Sequence, residues 1–136
     1  MPGSFVDTNV LVYLASSDAA KADRAEALLA AGATISVQVL NELANVARRK
    51  MQLTWAETSS FLATLKDLLQ VTPLTLETHE SGLQLAERYQ LSIYDGMIVA
   101  AALQADCETL WSEDMQHGLH VEGRLHIRNP FTPTPA

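Results

Sequence analysis

The sequence is poor in cysteine and in aromatic residues, and both shortages limit what it can be. Its single cysteine, Cys107, cannot form a disulfide within the chain, as is typical of proteins in a reducing compartment. Aromatic residues make up only 6% of the 136 residues, so the core must consist largely of Ala, Leu and Val. An apolar content of 48% is too high for a disordered chain, and the length predicts one domain with its own core.

Long apolar runs are also missing. The longest, from Met97 to Leu103, is far too short to cross a bilayer. The first residues lack the basic, apolar and small-residue pattern of a signal peptide. We therefore predict a soluble cytoplasmic protein without a membrane segment.

Positive charge is scarce as well. The chain has 9 basic and 16 acidic side chains, which give a net charge of −7. This balance argues against a protein that holds nucleic acid mainly through a broad basic face. It leaves open an enzyme that binds phosphate through divalent cations.

Short apolar segments alternate with helical patterns along the whole chain, which predicts an α/β fold with a largely parallel sheet. No repeat, low-complexity tract or linker divides the chain. The pattern predicts strands at about residues 4–6, 34–37, 71–74, 109–111 and 125–127, and helices at about 10–15, 19–31, 39–50, 54–69, 78–89 and 95–105.

Four carboxylates occupy notable places in this pattern. Asp7 and Asp114 follow predicted strands, Asp95 begins an apolar helix, and Glu42 borders the apolar stripe of another helix. Taken singly, each has an ordinary explanation: a helix cap for Asp7 and Asp95, a surface position for Glu42, and a turn for Asp114.

Taken together, the four positions point to a metal site. In a parallel sheet they all lie toward the same edge, where open α/β folds bind their ligands. Clustered carboxylates repel one another unless a cation neutralises them. A site of oxygen ligands without Cys or His suits Mg²⁺ or Mn²⁺, and such ions support phosphodiester hydrolysis.

Four segments resemble the signature of a known family. They are Phe5–Leu11, Ser36–Leu43, Leu91–Ala102 and Leu110–Met115. In this order and spacing they are similar to the PIN-domain family, and most of all to the VapC-type toxin ribonucleases of bacterial toxin–antitoxin pairs. The resemblance implies a single PIN-like domain, an α/β/α sandwich around a mostly parallel sheet. We expect this domain to span residues 1–131 and a flexible tail to follow at 132–136.

The resemblance also implies an activity. Members of the family cut RNA in a reaction that depends on Mg²⁺ or Mn²⁺, and a cognate antitoxin inhibits them. We therefore expect an endoribonuclease that leaves 5′-phosphate and 3′-hydroxyl ends, with a tRNA, ribosomal RNA or messenger RNA as its substrate. A homodimer is expected on the same basis.

Residue roles follow from the resemblance by position. Asp7, Glu42, Asp95 and Asp114 correspond to the catalytic acidic quartet. Asp7 and Asp95 would be the main metal ligands, with Asp114 binding the ion directly or through water. Glu42 would hold a water on the ion or a second ion. Asn9 and Ser112 would orient these carboxylates.

Two other functions compete with this one. A domain of the same fold that only binds a partner is one of them. A metal-dependent phosphatase is the other, although a phosphatase of the haloacid dehalogenase type would need a second Asp where Asn9 stands.

Two groups of residues outside the quartet carry further expectations. Arg48, Arg49 and Lys50 suit the negative end of a helix and could also contact RNA phosphates. Trp55, Phe61 and Leu65 are expected in the core. Gly96 follows Asp95 where the family often has Ala, which predicts a looser start of that helix.

Overall fold

The computed structural model describes residues 3–132, which form a six-stranded sheet with helices packed against it. The strands are β1 Gly3–Val6, β2 Thr34–Ser36, β3 Gln70–Thr72, β4 Cys107–Trp111, β5 His120–Val121 and β6 Leu125–Arg128. The α-helices are α1 Thr8–Leu11, α2 Ala19–Ala30, α3 Val37–Arg49, α4 Trp55–Leu68, α5 Leu76–Tyr89 and α6 Ile93–Gln104, with a 3₁₀ turn at Val12–Ala15.

The sheet has the strand order β3-β2-β1-β4-β6-β5. All neighbouring strands pair in parallel except β5 and β6, which are antiparallel. This architecture confirms the predicted α/β class with a mostly parallel sheet. The sequence pattern missed β5, because a strand of two residues with a histidine in it shows no apolar alternation.

Hydroxyl side chains cap the starts of the last four helices, α3 to α6. Thr54 and Glu57 form a capping box at the start of α4, as their spacing predicts. Ser36 caps α3 and Thr75 caps α5, so both helices begin two residues before their predicted starts. The apolar pattern did not show this, because the buried residues of the first turns include the polar Gln38 and Thr78, which give no apolar signal.

The core lies between the sheet and the helices. Fully buried side chains from both layers meet there, among them Phe5, Ile35, Leu43, Ile98 and Leu110. Leu65 is buried and Phe61 is partly buried, as expected. The expectation for Trp55 is wrong: 69% of this residue is exposed, because it is the first residue of α4 and lies beyond the packed stripe.

Helices α5 and α6 pack very closely through two glycines. A Cβ atom at Gly96 would collide with the carbonyl oxygen of Gly82, and one at Gly82 would lie 2.7 Å from Met97 Sδ. The prediction that Gly96 loosens the start of α6 therefore misses its role, since only glycine lets the two helices approach so closely.

No helix among the described residues is long and apolar enough to cross a membrane. Apart from Thr132, the predicted tail at 132–136 lies outside the described residues. The domain boundary at residue 131 stays a prediction.

Candidate active site

Asp7 lies where β1 ends and α1 begins. Its backbone is extended and caps α1, and only 2% of the residue is exposed. Asp7 Oδ1 accepts a hydrogen bond from the backbone N–H of Thr8 at 2.7 Å. Oδ2 accepts from Ser112 Oγ at 2.8 Å and from Asn9 Nδ2 at 3.1 Å. The carboxylate is thus held rigidly in a buried position.

Ser112 reaches Asp7 because β1 and β4 pair in parallel. Val6 lies opposite Trp111, so the next residue on each strand also meets its counterpart beyond the sheet edge. Asn9 ties the same two chain segments together, because its Oδ1 accepts from the backbone N–H of Glu113 at 2.9 Å. Both residues contact Asp7, which is the geometry that an orienting role requires.

Glu42 lies on α3, half-buried and fixed by two neighbours. Its Oε1 accepts from Thr8 Oγ1 at 3.0 Å, and its Oε2 accepts from Gln38 Nε2 at 2.9 Å. Sequence reasoning missed both donors. The contact of Gln38 with Glu42 could have been predicted, since residues four apart on a helix share a face.

Asp95 is the third residue of α6 rather than its cap. Ser92 caps the helix, and its Oγ accepts from the backbone N–H of Asp95 at 3.1 Å. The capping explanation offered for Asp95 is therefore wrong. The carboxylate lies in the first turn, where the positive end of the helix favours negative charge.

Asp114 lies in the turn that follows β4, and it is exposed. Together with Asp7, Glu42 and Asp95 it lines one cavity of about 450 Å³. The structure thus brings all four predicted carboxylates together. The other residues lining this cavity are Thr8, Asn9, Val12, Tyr13, Val46, Lys50 and Glu113.

The cavity is strongly acidic, and this changes proton affinities. Burial raises the pKa of the Asp7 carboxyl from 3.8 to about 7, against the opposing hydrogen bond from Ser112, and the charges of Asp95 and Glu42 add to the rise. Burial also raises the pKa of Asp95, and Glu42 and Asp114 repel its charge. Such a site is unfavourable for four free carboxylates and favourable for a cation.

The donor set fits a hard divalent cation, because it consists of carboxylate oxygens without Cys or His. Within residues 3–132, no group of three or more His, Cys, Asp or Glu side chains is arranged to hold a metal ion by itself. This does not conflict with Mg²⁺, which is usually bound by one or two carboxylates and completes its shell with water and substrate phosphate. An open, partly formed site is the arrangement such an ion uses.

Glu113, which sequence reasoning did not single out, belongs to a network on one wall of the cavity. Its Oε2 accepts from Lys21 Nζ at 2.7 Å, and its Oε1 accepts from Tyr13 Oη at 2.7 Å. Burial alone would raise the Glu113 pKa, but the bonds from Lys21 and Tyr13 lower it overall. Glu113 is thereby paired with the Lys21 ammonium group, whereas none of the ion pairs among residues 3–132 involves its neighbour Asp114. No local sequence signal links residue 21 to residue 113.

A larger cavity of about 700 Å³ lies elsewhere, against α5 and α6, and none of the four carboxylates lines it. Size alone therefore does not identify the site. The convergence of the four carboxylates at the sheet edge makes the smaller cavity the candidate.

A family model described as PIN domain matches residues 4–118 of the chain. No curated protein matches the chain.

Solved structures with the same fold include three at 19–20% sequence identity. A toxin–antitoxin complex from Klebsiella pneumoniae is 20% identical with a TM-score of 0.72, covering 95% of this chain and 98% of that one. VapC20 from Mycobacterium tuberculosis, described as a toxin that cleaves the sarcin–ricin loop, is 19% identical with a TM-score of 0.68, covering 82% and 90%. VapBC2 from Rickettsia felis, bound to promoter DNA, is 20% identical with a TM-score of 0.63, covering 93% and 97%.

Proposed function

Because this chain belongs to the PIN domain family, we propose that it is a Mg²⁺- or Mn²⁺-dependent endoribonuclease of the VapC toxin type that a cognate antitoxin neutralises. The observation that carries the proposal is the cavity in which Asp7, Glu42, Asp95 and Asp114 converge, with the pKa of Asp7 raised to about 7. A protein that only bound a partner would have no need for a buried carboxylate with other carboxylates around it that repel its charge.

Each residue has a defined part in the proposed reaction. Asp7 and Asp95 would be the main ligands of the divalent ion, and Asp114 would bind it directly or through water. When bound, the ion would activate water and neutralise charge on the scissile phosphate. Ser112 and Asn9 fix the Asp7 carboxylate through their hydrogen bonds to Oδ2. Glu42, anchored by Thr8 and Gln38, positions the attacking water. In-line attack would form a bond from the water oxygen to phosphorus and break the P–O3′ bond. The water would lose a proton and the 3′ oxygen would gain one, which leaves a 5′-phosphate and a 3′-hydroxyl.

RNA is the proposed substrate, in the form of a tRNA, ribosomal RNA or messenger RNA, and the cytoplasm is the proposed location. One of the similar structures is described as a toxin that cleaves the sarcin–ricin loop. The net charge of −7 fits a nuclease that binds phosphate through a cation rather than a broad basic face.

An antitoxin has a suitable place to bind. Leu14, Leu29, Phe61, Leu65 and Leu68 line an almost wholly apolar cavity of about 410 Å³. It lies between the 3₁₀ turn and helices α2 and α4, and an apolar segment of another protein would bury this surface. A similar structure described as a toxin–antitoxin complex supports this partner. Leu68→Glu should weaken capture of the antitoxin and leave RNA cleavage intact.

A homodimer is also proposed, on the basis of exposed apolar side chains beside Asp95. Ile93 is 55% exposed and Tyr94 is 64% exposed. A second copy of the chain would cover them. Light scattering of the wild-type protein and of Tyr94→Glu would show a dimer that the substitution dissociates.

The experiment that tests the activity is cleavage of total cellular RNA by protein freed of any antitoxin. It is run with Mg²⁺ or Mn²⁺, with EDTA, and with an Asp7→Asn, Asp95→Asn double variant. We expect discrete fragments that disappear with EDTA and fall about 100-fold or more in the variant, since even the outer partners of metal ligands typically contribute 10- to 100-fold. Glu108→Gln, which removes an exposed carboxylate outside the cavity, is the matched control.

Intact RNA under every condition, with no ion bound in calorimetry, would leave the partner-binding alternative. Hydrolysis of p-nitrophenyl phosphate without RNA cleavage would identify a phosphatase.

A further inference from the structure

The acidic cavity contains one basic side chain that is not committed to an acidic partner. Lys50, the residue that caps the C-terminal end of α3, lines the cavity and is exposed. None of the ion pairs found among residues 3–132 involves it. Lys21, the basic residue on the neighbouring wall, is paired with Glu113. Lys50 is therefore placed to receive a phosphate that approaches the carboxylates.

Trp55 is an exposed aromatic ring that a guanidinium holds in place. The Arg48 guanidinium carbon lies 4.1 Å from the centre of the Trp55 ring. Arg48 Nη1 also donates to the carbonyl oxygen of Leu53 at 2.6 Å, which fixes the guanidinium. Arg48 covers one face of the ring, and yet 69% of Trp55 remains exposed. The ring therefore offers solvent its uncovered surface.

Lys50 and Trp55 lie at the same end of α3. The turn between them folds back on the helix, because the backbone N–H of Leu53 donates to the carbonyl oxygen of Ala47 at 2.9 Å and that of Met51 donates to Val46 at 3.1 Å. The turn therefore begins at the cavity with Lys50 and ends at the Trp55 ring. Glu42 lies eight residues before Lys50 on α3, about 12 Å along the helix axis.

We propose that Lys50 and Trp55 form a binding site for single-stranded RNA that extends the acidic cavity: Lys50 binds a backbone phosphate, and an unpaired base stacks on the free surface of Trp55. The inference rests on the proposed ribonuclease function. It follows from chemistry, because an exposed aromatic ring and a basic residue on one turn are the groups that hold single-stranded nucleic acid. The net charge of −7 argues against a broad basic face that binds phosphates, so a single cation and an aromatic ring supply the affinity for RNA instead. The site selects unpaired bases, since a base in a duplex has no free face.

The test separates binding from cleavage. The probe is a fluorescein-labelled 12-mer of oligoadenylate, used single-stranded or annealed to oligouridylate, with EDTA present so that it stays intact. In a Trp111→Phe background, Trp55 is the only tryptophan. We expect the single strand to quench the fluorescence of Trp55 and the duplex to have little effect on it.

Substitutions assign the contributions. Trp55→Ala should weaken binding of the single strand about tenfold, and Trp55→Phe should retain most of the affinity, because base stacking tolerates any aromatic ring. Lys50→Gln should also weaken binding and lower the slope of log K against log salt by about 0.7. The matched controls are Leu68→Ala, an exposed apolar residue at the other end of α4, and Lys66→Gln. In cleavage assays Trp55→Ala should raise KM and leave kcat near the wild-type value.

Unchanged affinity and KM in Trp55→Ala would overturn the inference, as would equal binding of the duplex. Loss of antitoxin binding without loss of RNA binding would assign Trp55 to a protein partner and overturn it as well. If the wild type binds the oligonucleotide through Trp55 and cleaves no RNA, the proposed function fails and the binding site stands.

Discussion

At the scale of single residues, Asp7 combines burial with a charge that the fold alone does not neutralise. Its pKa rises from 3.8 to about 7, so the folded protein holds the proton more tightly than the unfolded chain does. The stabilisation is complete below pH 3.8 and is lost as the pH rises through about 7.

A first prediction follows for the metal-free protein. In EDTA, the free energy of unfolding of the wild type should fall between pH 4 and pH 7, relative to Asp7→Asn, by on the order of a few kcal/mol. Urea denaturation at several pH values measures this difference. The comparison between variants is decisive for the following reason. The lowered pKa of His126 makes stability rise with pH, opposite to the effect of Asp7, but it does so in both proteins and therefore cancels in the difference. Parallel pH profiles for the two proteins would contradict the prediction.

A second prediction concerns Lys21, which holds Glu113 on the wall of the cavity. Lys21→Met should cost little stability, because the ion pair is partly exposed. It should nevertheless lower RNA cleavage severalfold, because the more negative cavity repels the RNA phosphate, and it should tighten Mn²⁺ binding, because it frees a carboxylate next to Asp114. Kinetics measure the change in cleavage and calorimetry the change in Mn²⁺ binding. Lys21→Arg keeps the cation and should give values near those of the wild type.

Arg88→Met is the matched control for Lys21→Met. It breaks the ion pair with Glu122, which lies away from the carboxylates. If both variants lose the same activity, the Lys21 pair has no special connection to the site.

At the scale of secondary-structure elements, the contact between α5 and α6 determines where Asp95 lies. Gly96 follows Asp95 directly and packs against the backbone of Gly82. On an exposed helix, changing Gly to Ala would stabilise by up to about 1 kcal/mol. In this protein the collision of the added Cβ with the Gly82 carbonyl oxygen outweighs that gain, so the change in the free energy of unfolding is unfavourable.

We therefore predict that Gly96→Ala destabilises the protein by about 1–3 kcal/mol, as overpacked cores do. It should also lower RNA cleavage, because α6 has to shift and carries Asp95 with it. Thermal denaturation and cleavage rates measure the two effects. Gln84→Ala, an exposed change on α5, should alter neither. Stabilisation by Gly96→Ala would show that the helices can separate at little cost.

At the scale of the whole molecule, the carboxylates come from four separate parts of the chain, so an ion bound among them ties the fold together. Mn²⁺ or Mg²⁺ should raise the midpoint of thermal unfolding at pH 7.5 by several degrees when its concentration is far above Kd. The double variant Asp7→Asn, Asp95→Asn should show no such shift. Equal shifts in both proteins would indicate that the ion binds elsewhere.

Much of the fold and the site could be predicted from the sequence, because the signals are local. Apolar periodicity, the capping box at Thr54 and the family motifs identified the strands, the helices and the four carboxylates. These features depend on neighbours within a few residues. The two-residue strand β5 and the exposed position of Trp55 escaped, because a pattern this short or a residue at a helix end carries no periodicity.

The sequence by itself determined the α/β class, the order of all the elements except β5, and the four carboxylates that line one cavity. Only the tertiary structure decided what each side chain contacts: Ser112 on Asp7, Thr8 on Glu42, Lys21 on Glu113, and Gly82 against Gly96. The physical reason is range. Helix caps and apolar stripes act over a few residues, whereas these contacts join residues 14 to 105 positions apart, which strand pairing and helix packing alone bring together.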